Sequence, residues 1–415
     1  MKIIIIGAGA SGLMAAHELT KNNVEVIMLE KSRRIGGRIH TLVPPDFTSH
    51  IEAGAEFIHG NLPLTLQLMR KGKLNFTAVK GKMYRFENGR MSSRFGQSKG
   101  WDAFYELLQN LKKDCTLLEF LNQNFPAKKY KNLRKEIYEM TQGLDLAEVS
   151  RLSALSIRQE WLSEETQYRP QTGYFPLLEF LRNDASLKQY HLQLNEEVLK
   201  IEWRPNAVKV ITKNSEYIAN AVIITASVAN LWNNKIIFKP EIPETIKHFK
   251  AIGFGCVIKI AFEFDDIFWN EKYPDLGFLF TEGGFTFWSQ LAEKRPILIG
   301  WIGNDYAAKY QDLTDAQLKE MALLRLSQAF DLVDVGKKLK AAAVFRYDKN
   351  SESGGGYSWL TLNSKPAIRK INKGIENTIW FAGEALHPGA EIGTVEAALQ
   401  SGRYVAKKVL RNLKA

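Results

Sequence analysis

Gly7, Gly9 and Gly12 form a G-x-G-x-x-G pattern directly after the apolar run Lys2–Ile6. That pattern suits a dinucleotide. Gly7 makes a tight turn, Gly9 lets the backbone approach a pyrophosphate, and Gly12 lets helix and strand pack closely. The helix opening at Ala10 and Ser11 offers free N–H groups and a positive dipole end to phosphate oxygens. Glu30 ends the next strand, where its carboxylate can accept ribose hydroxyls, which disfavours a 2′-phosphate. The motif alone does not separate NAD from FAD. From Lys31 to Arg38 the chain adds a second glycine pair, Gly36-Gly37, among arginines. This pair permits another close backbone approach, and Arg38 can reach a diphosphate with two N–H groups.

Two other places carry reactive types. Lys259 lies on the less aromatic face of an alternating run, Val257–Phe264. Read from the residues alone it is a solvated lysine or a partner of Glu263. Gly354-Gly355-Gly356 leads into Tyr357-Ser358-Trp359 and reads as a flexible glycine hinge before a core strand. His59 and His387 have no recognisable metal spacing, so structural roles and no metal are expected. Cys115 and Cys256 are too few for a zinc cluster or a disulfide framework.

The elements that must position these groups follow from hydrophobic pattern. Lys2–Ile6, a helical stretch over 10–22 and Val24–Leu29 make a βαβ unit. Asn88-Gly89 is the turn of a hairpin over 82–94. Residues 101–165 have mainly helical spacing. Strands return at Val208–Thr212 and Ala221–Ala226. In Val257–Phe264, residues Ile258, Ile260, Phe262 and Phe264 share one face. Thr314 and Gln317 form a capping box. A last strand, Thr378–Ala382, precedes a helix from about Thr394, with a buried stripe of Val395, Ala398, Leu399, Gly402, Val405, Ala406 and Val409.

Placed just after the acid, Arg34-Ile35-Gly36-Gly37-Arg38 resembles the FAD-binding signature of the flavin-containing amine oxidases. Four further segments carry the resemblance. Ile51-Glu52-Ala53-Gly54-Ala55-Glu56-Phe57-Ile58-His59-Gly60 resembles the family's second block, in its polyamine oxidase and histone-lysine demethylase form. Glu197-Val198 sits where the family binds adenine through a backbone valine. Gly253 to Lys259 ends on the family's lysine. Trp380 to Glu384, followed by Gly393-Thr394-Val395-Glu396-Ala397, resembles the C-terminal flavin block.

The resemblance implies an α/β (α+β) fold. A discontinuous Rossmann-like FAD domain (1–78, 190–240 and 360–415) is interleaved with a substrate domain of mixed sheet plus helices (79–189 and 241–359). It adds Gly54, Ala55, Glu56, Val198, Gly383, Glu384, Gly393, Thr394 and Val395 to the cofactor contacts. Glu384 follows a buried strand, and ribityl hydroxyls or a nearby arginine would satisfy its charge. Gly393 precedes a helix, so the N–H groups of Thr394 and Val395 are expected as unpaired donors toward the flavin. Lys259 is expected to hold a water beside flavin N5, and Tyr357 to form one wall of an aromatic cage. Members with a covalent flavin carry a cysteine just before that tyrosine. Gly356 stands there, so FAD is expected to be non-covalent. The second cage aromatic is missing, since Ala390 takes its place. Trp359, Trp288 and Trp301 are the candidate substitutes.

The implied reaction is hydride transfer from the carbon alpha to an amine onto N5, hydrolysis of the imine, and re-oxidation by O2 with release of H2O2. Two alternatives keep the fold. An L-amino-acid oxidase would need an arginine for the carboxylate, with Arg85, Arg90, Arg94 and Arg346 as candidates. A desaturase or porphyrinogen oxidase would want a long apolar channel. A non-catalytic flavin-binding scaffold, supported only by Ala390, is the third reading.

Composition sets the outer limits. The 415 residues are 45% hydrophobic and 24% charged, which excludes disordered and fibrous classes. No apolar run reaches the length of a membrane span. Few cysteines fit a reducing, cytoplasmic location. The net charge of +11 admits an anionic partner. The densest patch, Lys128 to Lys135, reads as a solvated helix face without a nucleic-acid signature. The same charge weakly disfavours polyamines.

Overall fold

The computed structural model describes residues 1–93, 98–162, 166–183, 189–389 and 391–412, and Arg94 and Ala390 lie outside them. A five-stranded parallel sheet organises one half. Its order is Tyr190–Gln193, Glu25–Leu29, Lys2–Ile6, Ala221–Ile224 and Ile379–Phe381, so strands meet from three distant stretches of chain. Ile3 to Ile6 run down its centre with both faces covered, the usual state of a parallel strand. Ile3 and Ile5 face a helical layer, whereas Ile4 and Ile6 pack toward Val208 and Val210 of a four-stranded sheet.

Two helices form the core of that helical layer, Ala10–Thr20 and Val395–Asn412. Glycine sets their spacing. A Cβ on Gly12 would sit 2.0 Å from the Gly7 carbonyl oxygen, and one on Gly402 would sit 2.1 Å from that of Ser11. The first helix ends at Thr20, two residues short of the expected pattern, and Asn23 turns the chain at φ 58°. The helix Phe175–Asn183 packs Leu177, Leu178 and Leu181 into this same layer, although the expected division assigns it to 79–189.

The other half is a seven-stranded sheet. Its order is Leu339–Tyr347, Val257–Phe264, Arg295–Gly303, Phe285–Gln290, Leu276–Thr281, Lys82–Glu87 and Arg90–Ser92. Asn88 and Gly89, at φ 51° and 72°, make the expected hairpin turn. The face with Ile258, Ile260, Phe262 and Phe264 is covered by the helix Asp315–Phe330, which starts with the Thr314–Gln317 capping box. The opposite face carries Lys259, which pairs across the strands with Trp301 and Phe345. Every residue of the Val257–Phe264 strand is buried, so Lys259 is not the solvated lysine that the bare pattern suggests.

Residues 101–161 are mainly helical as expected, with α-helices Trp101–Gln109, Leu117–Asn124, Lys131–Met140 and Ala154–Trp161 joined by short connections. Thr141–Asp145 is a π-helical turn closed by Leu146 at φ 51°. Single π turns of this kind recur where a helix is bent to aim a side chain.

Candidate active site

One large cavity, of about 1210 Å³, lies between the two sheets. Every residue expected to contact the cofactor lines it except Gly12, whose part is the helix–strand contact.

The first helix supplies one end of the cavity. Gly9 is its N-cap, with no side-chain cap, so the first-turn N–H groups are left to a ligand. A Cβ on Gly9 would find only the Gly36 carbonyl oxygen, at 3.8 Å, so the space in front of it is open. Glu30 is held by the Ala8 N–H at 2.7 Å and the Ser32 N–H at 2.9 Å. Its carboxylate is therefore oriented before any hydroxyl arrives. Ser11 Oγ, Asn230 Oδ1 and Glu196 Oε2 are buried without a hydrogen-bond partner, and all three residues line the cavity. Buried polar atoms are rarely left so, and a polar ligand would satisfy them. Lys31 donates to the Glu352 carbonyl at 2.8 Å, tying the 348–356 loop over this end. That loop is pinned rather than a free hinge. Gly356 N–H donates to the Gly255 carbonyl, and Ser353 Oγ to the Gly355 carbonyl.

Glu384 is satisfied by an arginine, and the arginine is Arg38. Its Nη1 lies 2.7 Å from Glu384 Oε1 and donates to the Gly356 carbonyl at 2.8 Å. Ser358 Oγ and the Gly393 N–H complete the carboxylate's shell. Of the two N–H groups expected to be free at the last helix, that of Thr394 is not. Thr394 N–H folds back onto the Glu391 carbonyl at 3.2 Å, because the chain turns through Gly393 at φ 86° before the helix begins at Val395.

Lys259 sits in a buried ionic box. Its ammonium donates to Glu56 Oε2 at 2.7 Å and to the Gly54 carbonyl at 3.1 Å, with the Trp288 ring 5.5 Å away. Glu56 also accepts from Trp288 Nε1 at 3.0 Å and faces Arg169 Nε at 3.0 Å. The Arg169 contact is an ion pair without hydrogen-bond alignment, since that Nε lacks a bonded partner. Burial opposes the charge on Glu56, but Lys259 and Arg169 outweigh it and hold its carboxyl below the ordinary range. Thus Glu56, grouped with the cofactor contacts, directs its carboxylate at Lys259. Behind this box, burial pushes Glu52 up to about 7, against hydrogen bonds from Thr41 and the Tyr174 N–H.

Aromatic rings continue the wall. The Tyr357 ring stacks against Trp301, with centroids 6.4 Å apart and planes 24° apart, and Trp301 meets Trp288 at 5.8 Å. Tyr357 donates its hydroxyl to the Leu144 carbonyl. Of the three candidate tryptophans, Trp301 is therefore the one beside Tyr357. Trp359 packs with the helical cluster and under Arg151. His59 bonds Gln167 through Nδ1 at 2.7 Å, and His387 bonds Glu391.

Residues 10–410 match the family model described as flavin containing amine oxidoreductase. The chain belongs to this family. It is similar to polyamine oxidase 4 of Oryza sativa subsp. japonica, 26% identical, covering 98% of this chain and 89% of that protein. It is also similar to lysine-specific histone demethylase 2 of Homo sapiens, 25% identical over 98% of this chain and 53% of that protein. Among solved structures, cyclohexylamine oxidase from Brevibacterium oxydans aligns with a TM-score of 0.83 at 18% identity, covering 100% of this chain and 99% of that one. Putrescine oxidase bound to putrescine aligns at 0.82 and 17%, covering 99% of each. The fold is the Rossmann-like fold of these flavoenzymes.

FAD is the cofactor of the flavin-containing amine oxidoreductases, and this cavity fits it. The open glycine turn, the pre-oriented Glu30 and the unpartnered Ser11, Asn230 and Glu196 atoms all answer to a polar dinucleotide. Among the described residues, two of the candidate carboxylate-binding arginines are ion-paired and a third is exposed. Arg85 pairs with Glu139 at 2.8 Å, Arg346 with Asp315 at 2.9 Å, and Arg90 is exposed on the hairpin. Several cavity carboxyls escaped the sequence reading, Asp145, Glu139, Glu160, Glu196, Glu352 and Glu391 among them. Only the π turn aims Asp145 inward, and helical periodicity does not reveal it.

Proposed function

We propose that the protein is an FAD-dependent amine oxidase, with FAD bound non-covalently and Lys259 and Tyr357 at the reacting centre. The observation that carries the proposal is the placement of a buried lysine and an aromatic wall on one cavity with the dinucleotide-type turn. Bound FAD supplies the two-electron acceptor for a hydride from the carbon beside the amine nitrogen, with imine hydrolysis and O2 completing the cycle. The chain's own groups position and polarise. Glu56 and the Gly54 carbonyl take two of the three Lys259 N–H donors. The third is free, among the described residues, to hold a water. The Trp301–Tyr357 face orients the amine at near-attack distance. Gly356 leaves no thiol beside Tyr357 for a covalent link. The segments 1–78, 190–240 and 360–415 would serve the cofactor and the remainder the substrate. Free Cys115 and Cys256 suit a reducing compartment such as the cytoplasm.

The test is anaerobic mixing with a panel of amines and amino acids while the flavin absorbance is followed. Bleaching by an amine is expected, with re-oxidation and peroxide on admitting oxygen. Bleaching by amino acids alone, or by no donor, would reject the proposal.

A further inference from the structure

Glu56 lines the large cavity and, alone among the described residues, also lines a small chamber beside it. The chamber has a volume of about 10 Å³. Its lining runs from buried Glu52 and Arg169 to half-buried His50, Glu293 and Arg295 and to exposed Gln171. The size suits one water. Two polar atoms among the lining residues are buried without a hydrogen-bond partner, Glu52 Oε2 and Arg169 Nε. The two residues are 5% and 7% exposed. A carboxylate oxygen accepts and a guanidinium N–H donates, so together they can hold a single water.

The chamber is built to leave Glu52 Oε2 free. The other oxygen, Oε1, accepts from the Thr41 hydroxyl at 2.7 Å and from the Tyr174 N–H at 2.5 Å. A Cβ on Gly173 would lie 2.5 Å from that same Oε1, so the glycine makes room for the carboxylate. On the cavity side, Glu56 Oε2 is 2.7 Å from the Lys259 ammonium. Glu56 thus stands between the lysine and the chamber.

Amine oxidation needs a way out for a proton. At neutral pH an amine arrives mostly as its ammonium, and it must lose a proton before its carbon can give up a hydride. We propose that Glu56, a chamber water and Glu52 form a rear proton exit from Lys259 that opens at His50. The inference rests on the amine-oxidising reading above and adds a route to it. The substrate ammonium gives its proton to the water on the third Lys259 N–H. Lys259 takes a proton from that water as it passes one to Glu56 Oε2. Glu56 hands it through the chamber water to Glu52, and His50 passes it to solvent. At each link one bond to hydrogen breaks as another forms, and no electrons move. Lys259 ends as an ammonium and Glu56 as a carboxylate. Lys259 and Arg169 keep Glu56 ionised at rest despite its burial, so it carries the proton only in passage. Burial pushes Glu52 up to about 7, against Thr41, the Tyr174 N–H and Lys259, and Glu56 adds to the rise. A relay group exchanges protons best near its working pH. Burial and Arg295 hold His50 below its ordinary value, against Glu293 and Glu56, which leaves it a neutral acceptor.

The test uses holoenzyme and an amine that bleaches its flavin. Anaerobic stopped flow follows reduction, and an indicator dye in weakly buffered solution follows proton release. Glu52→Gln keeps an acceptor for the Tyr174 N–H. It should slow both signals together by about tenfold or more at neutral pH. Its rates should converge with the wild type at about pH 10, where the amine arrives without its proton. Wild-type rates at neutral pH, or an equal loss at both pH values, overturn the proposal. If Glu52→Gln does not retain FAD, His50→Gln is read by the same criteria. Infrared spectra of the holoenzyme read the chamber without substrate. A protonated-carboxyl band should titrate near neutral pH and shift in D2O, and the lack of such an exchanging band also overturns the proposal. If no amine bleaches the flavin, the oxidase reading fails and the infrared result alone decides the exit.

Discussion

At the scale of single residues, Lys259 owes its place to Glu56. A lone ammonium at 1% exposure would be costly, but a carboxylate at 2.7 Å and a carbonyl at 3.1 Å compensate it. Lys259→Met should retain FAD and lose about 10²-fold in turnover, the scale of a positioned proton-handling group. Stopped-flow of both half-reactions checks this, and wild-type rates in both would return Lys259 to a purely structural role. Tyr357 divides ring from hydroxyl. Tyr357→Ala should slow flavin reduction with FAD still bound, and Tyr357→Phe should do less, since the ring remains against Trp301. For any amine the reduction rate should rise with pH, because the nitrogen lone pair that forms the imine must be free of its proton. Glu52 gives the stability of the fold its own pH dependence. Its native pKa, about 7, is raised above the ordinary carboxylate value of 4.5. Between those limits the folded chain holds a proton that the unfolded chain releases. Stability is fully present below the lower value and declines as pH rises to the upper, by about 3 kcal/mol. Unfolding curves at several pH values should show this slope in the wild type and lose it in Glu52→Gln.

At the scale of elements, glycines with different surroundings make different predictions. Gly9 faces open space, whereas a Cβ on Gly12 would meet the Gly7 carbonyl oxygen at 2.0 Å. Gly9→Val should therefore fold and lose FAD, because the branched side chain occupies the ligand's room. Gly12→Val should fail to fold, since the first helix cannot dock on its strand. Circular dichroism with flavin content separates the two, and a folded, yellow Gly12→Val would contradict the packing. These elements were legible in the sequence because each local signal agrees with the fold around it: the glycine turn, the alternating Val257–Phe264 strand and the Asn88-Gly89 turn. What was not legible depends on contacts far apart in the chain. Glu56 and Lys259 are 203 positions apart, and no periodicity announces their pairing. The choice of Trp301 over Trp359 rests on cross-strand register, Lys259 opposite Trp301, which sequence spacing does not reveal. The π turn at Thr141–Asp145 breaks the helical period, so Asp145 hides in a stretch that reads as ordinary helix.

At the scale of the whole molecule, the site exists only when the two ends of the chain meet. Arg38 reaches Glu384 across 346 positions, and Gly402 brings the last helix into backbone contact with the first. Glu396 makes the tightest of these closures. Its carboxylate is 1% exposed and accepts from the Leu64 N–H at 3.1 Å, the Thr65 N–H at 2.7 Å and the Thr65 hydroxyl at 2.7 Å. It thereby supplies the missing cap of the helix Pro63–Lys71, whose own N-cap, Leu62, has no polar side chain to offer. That helix follows the Ile51–Gly60 segment, which carries Gly54 and Glu56 to Lys259. Removing the carboxylate strands several buried donors at about 1–3 kcal/mol each. Glu396→Ala should lower the melting temperature and loosen FAD retention together, although Glu396 is not among the cavity-lining residues. Glu396→Gln keeps an acceptor of the same shape but loses its charge, and should fall between wild type and alanine on both measures. Thermal melts of the holoprotein, with flavin release followed by fluorescence, read the two effects in one experiment. If flavin release and melting separate, with FAD leaving well before the fold opens, the last helix and the lysine box are not one cooperative unit. If they coincide and shift together through the series, the C-terminal helix is what closes the cofactor site.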